Sequence, residues 1–131
     1  MTHRKQIVMP APHQAELQET DFDDSPPGAD EVIGRTLVSL ISAGTEIAGL
    51  YTAKKNFPRF PGYAAVFEAR QVGPDVKDIK PGQAVFCMGP HASAQRCRRS
   101  EALPVPAGLA PEQAVCARMA SISMSTPNQT A

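Results

Sequence analysis

The chain has 131 residues, 42% of them apolar, with thirteen basic and thirteen acidic side chains and a formal net charge of zero. That is enough chain for about one domain with a core of its own, and too apolar and too neutral for a disordered segment. It also gives no basic excess to attract nucleic acid or an anionic membrane.

Thirteen prolines and nine glycines cut the chain at short intervals, which favours short strands and turns over long helices. Residues 5–9 (KQIVM) read as a first strand, stopped by Pro10 and Pro12, and the polar residues 14–19 as an edge-like second one. Asp21 to Glu31 is turn material, because Pro26, Pro27 and Gly28 suit neither a helix nor a central strand. From Val32 to Ser42 the sequence alternates. Val32, Gly34, Thr36, Val38 and Leu40 are expected on one face, and Ile33, Arg35, Leu37, Ser39 and Ile41 on the other. Apolar content on both faces predicts a central strand.

Residues 46–53 are compatible with one or two helical turns, and Pro58, Pro61 and Gly62 enforce an extended stretch. Strands are expected at 64–72, 83–88 and 92–97, with an edge strand at 102–106 whose prolines cannot donate to a ladder. A helix is predicted over 111–124, with Pro111 in its first position and Glu112 near the positive end of its dipole. Val115, Met119 and Ile122 fall on one stripe of it, and Ala110 at the N-cap supplies no side-chain acceptor. The reading is one domain over 1–126 and a frayed tail at 127–131.

Three cysteines (Cys87, Cys97, Cys116) cannot all pair within one chain, which argues against a secreted disulfide framework. No run of about 18 apolar residues is present, so neither a signal peptide nor a membrane span is expected, and a reduced cytoplasmic protein is.

The stretches AGTE at 43–46, PGYAAVFEARQVGPDV at 61–76, IKPGQAVF at 79–86 and GLAPEQAV at 108–115 occur in a telling order and spacing. Together they resemble the N-terminal, GroES-like domain of the medium-chain dehydrogenase/reductase family, the zinc-type alcohol dehydrogenases and their relatives. The resemblance implies a mainly β fold, a partly open barrel of short strands with a C-terminal helix. It also implies the substrate-side half of an NAD(P)-dependent oxidoreductase acting on alcohols or quinones.

Two departures qualify it. Where the family places zinc-binding Cys, His and Glu, this chain has Ala43, Tyr63 and Ala64, none of which is an ordinary zinc ligand. No zinc site is therefore expected. No Gly-x-Gly-x-x-Gly turn occurs in this sequence, so neither a Rossmann domain nor a cofactor site is expected in it, and the chain by itself is expected to be inactive.

The resemblance makes Thr45 the candidate catalytic residue, its hydroxyl passing a proton to or from the substrate oxygen. The competing reading, preferred for the domain by itself, has Gly44-Thr45 turn the chain and cap the next helical stretch, with Glu46 in its first turn. Tyr63 is the candidate substrate-facing residue, filling the space a metal would take or bonding a carbonyl. Cys87, His91 and Cys97 form a loose C-x3-H-x5-C set without an evident fourth ligand, and read better as a strand cysteine and two loop residues. Arg96, Arg98 and Arg99 read as a solvated loop or a phosphate contact.

The alternative function is a truncated remnant or stand-alone interaction module that pairs with a partner chain or a second copy. The helix stripe at Val115, Met119 and Ile122 would be its surface. A co-chaperonin role is the weakest reading, since no mobile loop with an apolar chaperonin-binding motif is evident.

Overall fold

In the computed structural model the described residues are 2–42, 46 and 54–125, with side chains described as far as residue 118. The order is β1 (Thr2–Val8), β2 (Glu16–Phe22), β3 (Glu31–Ser39), β4 (Ala65–Val72), β5 (Ala84–Cys87), β6 (Ala94–Arg98), β7 (Ala102–Pro104) and α1 (Pro111–Ser125). The expected turns over 46–53 and the tail at 127–131 fall wholly or largely outside the described residues.

β1 and β2 form an antiparallel hairpin that pairs Thr2 with Phe22 and Val8 with Glu16. It is longer than the apolar pattern predicts. The Arg4 guanidinium lies 5.1 Å from the centre of the Phe22 ring, so a charged and an aromatic residue close the far end of a mostly solvated ladder.

The other five strands make one antiparallel sheet in the order β6-β3-β4-β5-β7. β3 is internal, as its two apolar faces require. β7 lies at the edge, where Pro104 opposes Val85 and its missing donor costs nothing. The described strands do not close into a full barrel.

Each face of this sheet has its own core. On one, Val32, Ala65, Phe67, Ala69, Val76, Ile79 and Val85 are buried together. On the other, Ala64, Val66, Phe86 and Val105 pack with Ala114 and Val115 of α1. Gln113 accepts the Ala110 N–H at 3.1 Å, so half of a capping box forms although Ala110 offers nothing in return. Val115 is covered by the sheet, so this member of the helix stripe is not short of neighbours. The side chains of Met119 and Ile122 lie outside the described residues. No helix among the described residues is long and apolar enough to cross a membrane.

The alternation expected along β3 does not hold. The register with β4 slips between Thr36 and Val38: Thr36 opposes Phe67, but Val38 opposes Val66. Leu37 is therefore the extra residue of a bulge, and the period of two restarts after it. Val38 and Leu40 join the helix-side core while Val32 lies in the other. Ser39, opposite Ala65, is carried to the Phe67 side of the sheet. This slip, the second of two in the β3–β4 ladder, brings Ser39 to the site below.

Candidate functional site

A cavity of about 500 Å³ lies between β1 and the chain that follows β3. Ile7, Met9, Ala15, Ile41 and Pro61 give it an apolar wall, into which Ser39, Glu46 and His91 bring the polar atoms. The Ser39 hydroxyl lies 2.6 Å from His91 Nδ1, and His91 Nε2 is in short contact with Glu46 Oε1. The other oxygen, Oε2, accepts the Ser42 N–H at 2.5 Å. His91 is 8% exposed and Glu46 2%. An ionised carboxylate only accepts, so Nε2 donates to Glu46; in the neutral ring Nδ1 then accepts the Ser39 proton. Every polar atom of the buried pair has a partner, as burial demands.

The backbone around His91 is fixed from both sides. Its N–H reaches the Pro61 carbonyl at 3.2 Å, and its own carbonyl accepts the Ile7 N–H at 2.9 Å. Ser93 donates to the Lys5 carbonyl at 2.8 Å and accepts from Lys5 N–H through its hydroxyl at 2.9 Å. The buried Gln95 amide donates to the Pro90 carbonyl at 2.9 Å. Gly62 has φ +107°, and a Cβ on it would stand 2.5 Å from the His91 nitrogen. Glycine is required there on both counts.

Thr45, the expected catalytic residue, lies outside the described residues, as does Ala43. Tyr63 is half-buried between Gly62 and Ala64; the cavity wall takes Pro61, two residues earlier. His91 does not stand with the two cysteines as a ligand set, because Ser39 and Glu46 occupy both its ring nitrogens. Cys87 and Cys97 associate with each other instead: the hydrogen bond they share, together with burial, pushes the Cys87 thiol up, and the same bond holds Cys97 down. Among the described residues no three His, Cys, Asp or Glu side chains could hold a metal.

The arginine cluster is tied down. Arg96 reaches Glu31 at 2.6 Å, and Arg99 grips both oxygens of Asp78 at 2.8 and 2.5 Å. Arg98 is exposed.

Sequence reasoning missed the trio itself. The straight period of two puts Ser39 on the opposite face, Glu46 reads as a helix-start residue, and His91 groups with the cysteines. The only signal available was that an acid and an imidazole in apolar surroundings need each other.

No protein-family model matches the sequence, and no curated protein matches it significantly. Solved structures do match. An alcohol dehydrogenase from Thermus sp. ATN1 superposes with a TM-score of 0.72 at 17% identity, over 86% of this chain and 43% of that one. Galactitol-1-phosphate dehydrogenase from Escherichia coli gives 0.70 at 16%, over 85% and 40%. A quinone oxidoreductase from Pseudomonas syringae pv. Tomato DC3000 gives 0.62 at 21%, over 86% and 36%. The fold is the GroES-like fold of medium-chain dehydrogenases and reductases. The chain spans about two fifths of the length of these proteins.

The zinc that many such folds carry does not fit the residues present. At the positions where the resemblance puts zinc ligands, Tyr63 is half-buried and Ala64 is 1% exposed in the helix-side core, and neither side chain is an ordinary zinc ligand.

Proposed function

We propose that this chain is the substrate-side domain of an NAD(P)-dependent alcohol or quinone-type oxidoreductase that works without zinc. The observation that carries the reading is an open apolar cavity with one hydrogen-bonded polar chain in its wall, set in a GroES-like fold. Among its described lining residues there is no Lys or Arg, which disfavours a phosphorylated substrate such as that named for the Escherichia coli neighbour. The apolar lining suits the uncharged alcohols and carbonyls that the names of the other two neighbours suggest.

NAD(P) would be held by a nucleotide-binding unit other than these residues and would supply or accept the hydride. This domain would orient the substrate and handle its oxygen. On the family resemblance Thr45 and Tyr63 would also face the substrate.

The test is metal analysis of protein purified from zinc-supplemented medium, together with NADH- and NADPH-coupled assays on a panel of alcohols, aldehydes and quinones. Substoichiometric zinc is expected, with no turnover by the chain alone and chelator-insensitive turnover once the nucleotide-binding unit is supplied. Stoichiometric zinc whose removal abolishes turnover would overturn the zinc-free reading.

A further inference from the structure

The cavity wall contains a linear chain of groups, Ser39–His91–Glu46, in which only one end is left to work. Glu46 has both oxygens engaged, Oε1 by His91 and Oε2 by the Ser42 N–H. His91 has both ring nitrogens engaged. Ser39 is different: its hydroxyl gives its one proton to Nδ1 and keeps acceptor capacity, and the residue is half-buried in the cavity wall. A serine hydroxyl backed by an imidazole and a buried carboxylate is a proton conduit, because each acceptor can take a proton as the group before it gives one up.

Resting on the oxidoreductase reading above, we infer that Ser39 bonds the substrate oxygen and that His91, held by Glu46, receives the proton. The occupant is an uncharged, largely apolar alcohol or its carbonyl partner. In the oxidising direction a nicotinamide supplied by the nucleotide-binding unit would accept the hydride released as the carbinol C–H bond breaks. The alcohol O–H bond would break as its proton passes to Ser39 Oγ, whose own proton would move to His91 Nδ1. The product is a neutral carbonyl beside an imidazolium that the Glu46 carboxylate balances. In the reducing direction the same atoms move back. Ser39 is then the catalytic residue, and His91 and Glu46 are positioning residues that act through it.

The experiment is a titration of the ¹⁵N-labelled chain with cyclohexanol and cyclohexanone, read on the histidine ring nitrogens, with hexanoate as the anionic control. Saturable binding of the neutral probes is expected, with the His91 Nδ1 resonance moving and those of His3 and His13 unmoved. Ser39→Ala should weaken binding about tenfold, the value of one hydrogen bond, and abolish the Nδ1 shift; Ser39→Thr should restore both. Binding that leaves Nδ1 unshifted, binding unchanged in Ser39→Ala, hexanoate binding as well as the neutral probes, or no binding at all would overturn the inference. No hydride transfer is involved in this readout. Saturable, Ser39-dependent binding without nucleotide-coupled turnover in the completed enzyme would overturn the oxidoreductase reading and leave Ser39 as the oxygen-binding group.

Discussion

The chain carries two kinds of charged cluster, and they differ in what surrounds them. Around β6, Arg96 and Arg99 pair with Glu31 and Asp78 at the surface, where water screens the attraction and can replace either partner. In the cavity wall, His91 and Glu46 pair in near-complete burial, where removing one partner strands the other. The surface pairs lie among turns they help to fasten. The buried pair sits at an open cavity, and buried ion pairs are often no more stabilising than apolar residues of similar volume. A costly polar group in a place where packing would serve as well points to function.

The sharpest break of the comparison is Glu46→Ala. It leaves His91 and the Ser42 N–H without their partner, and a loss of about 3–5 kcal/mol in urea unfolding is expected. Replacing both members with apolar residues, His91→Leu with Glu46→Met, should recover most of that loss while abolishing probe binding. Recovery of stability together with binding would remove the functional argument.

Gly62→Ala comes next. Its positive φ and the 2.5 Å approach to the His91 nitrogen predict a loss of about 1–3 kcal/mol. A shift of the His91 ring resonances should accompany it.

The smallest effects belong to the surface pairs. The Arg99 bond holds the Asp78 carboxyl below its ordinary value of 3.8, and the Arg96 bond does the same to Glu31 below 4.5. A carboxyl depressed in the folded state stabilises the fold above its unfolded pKa and loses that contribution as pH falls through the folded value. Stability should therefore be flat from pH 7 to 5 on their account and decline below about 4. Asp78→Asn should flatten part of that decline and change the neutral-pH urea midpoint far less than Glu46→Ala does.

Much of the fold was legible because strand period and turn chemistry are local. The strand at 64–72, a turn at Pro81-Gly82 and the Pro111 helix start all appear where local sequence puts them. The site was not legible, because it depends on a register slip. Nothing in VIGRTLVSLIS marks Leu37 as the bulged residue; the partner strand decides it, by bringing Val66 rather than Phe67 opposite Val38. Reading the period straight through sends Ser39 to the wrong face and hides its neighbour. His91 and Glu46 are 45 residues apart, and no local pattern joins them. The family resemblance points to Thr45 and Tyr63 instead.

The buried Ser39–His91–Glu46 chain is tested by the ¹⁵N–¹H spectrum of the three histidine rings in the unliganded protein at neutral pH. His3 and His13 are exposed and serve as internal references. A separate His91 ring is expected, with a slowly exchanging, strongly deshielded Nε2 proton and a hydrogen-bonded Nδ1, both altered in Glu46→Gln. A His91 ring that averages and exchanges with water as His3 does would mean that the buried chain is not formed, and the site would have to be sought elsewhere.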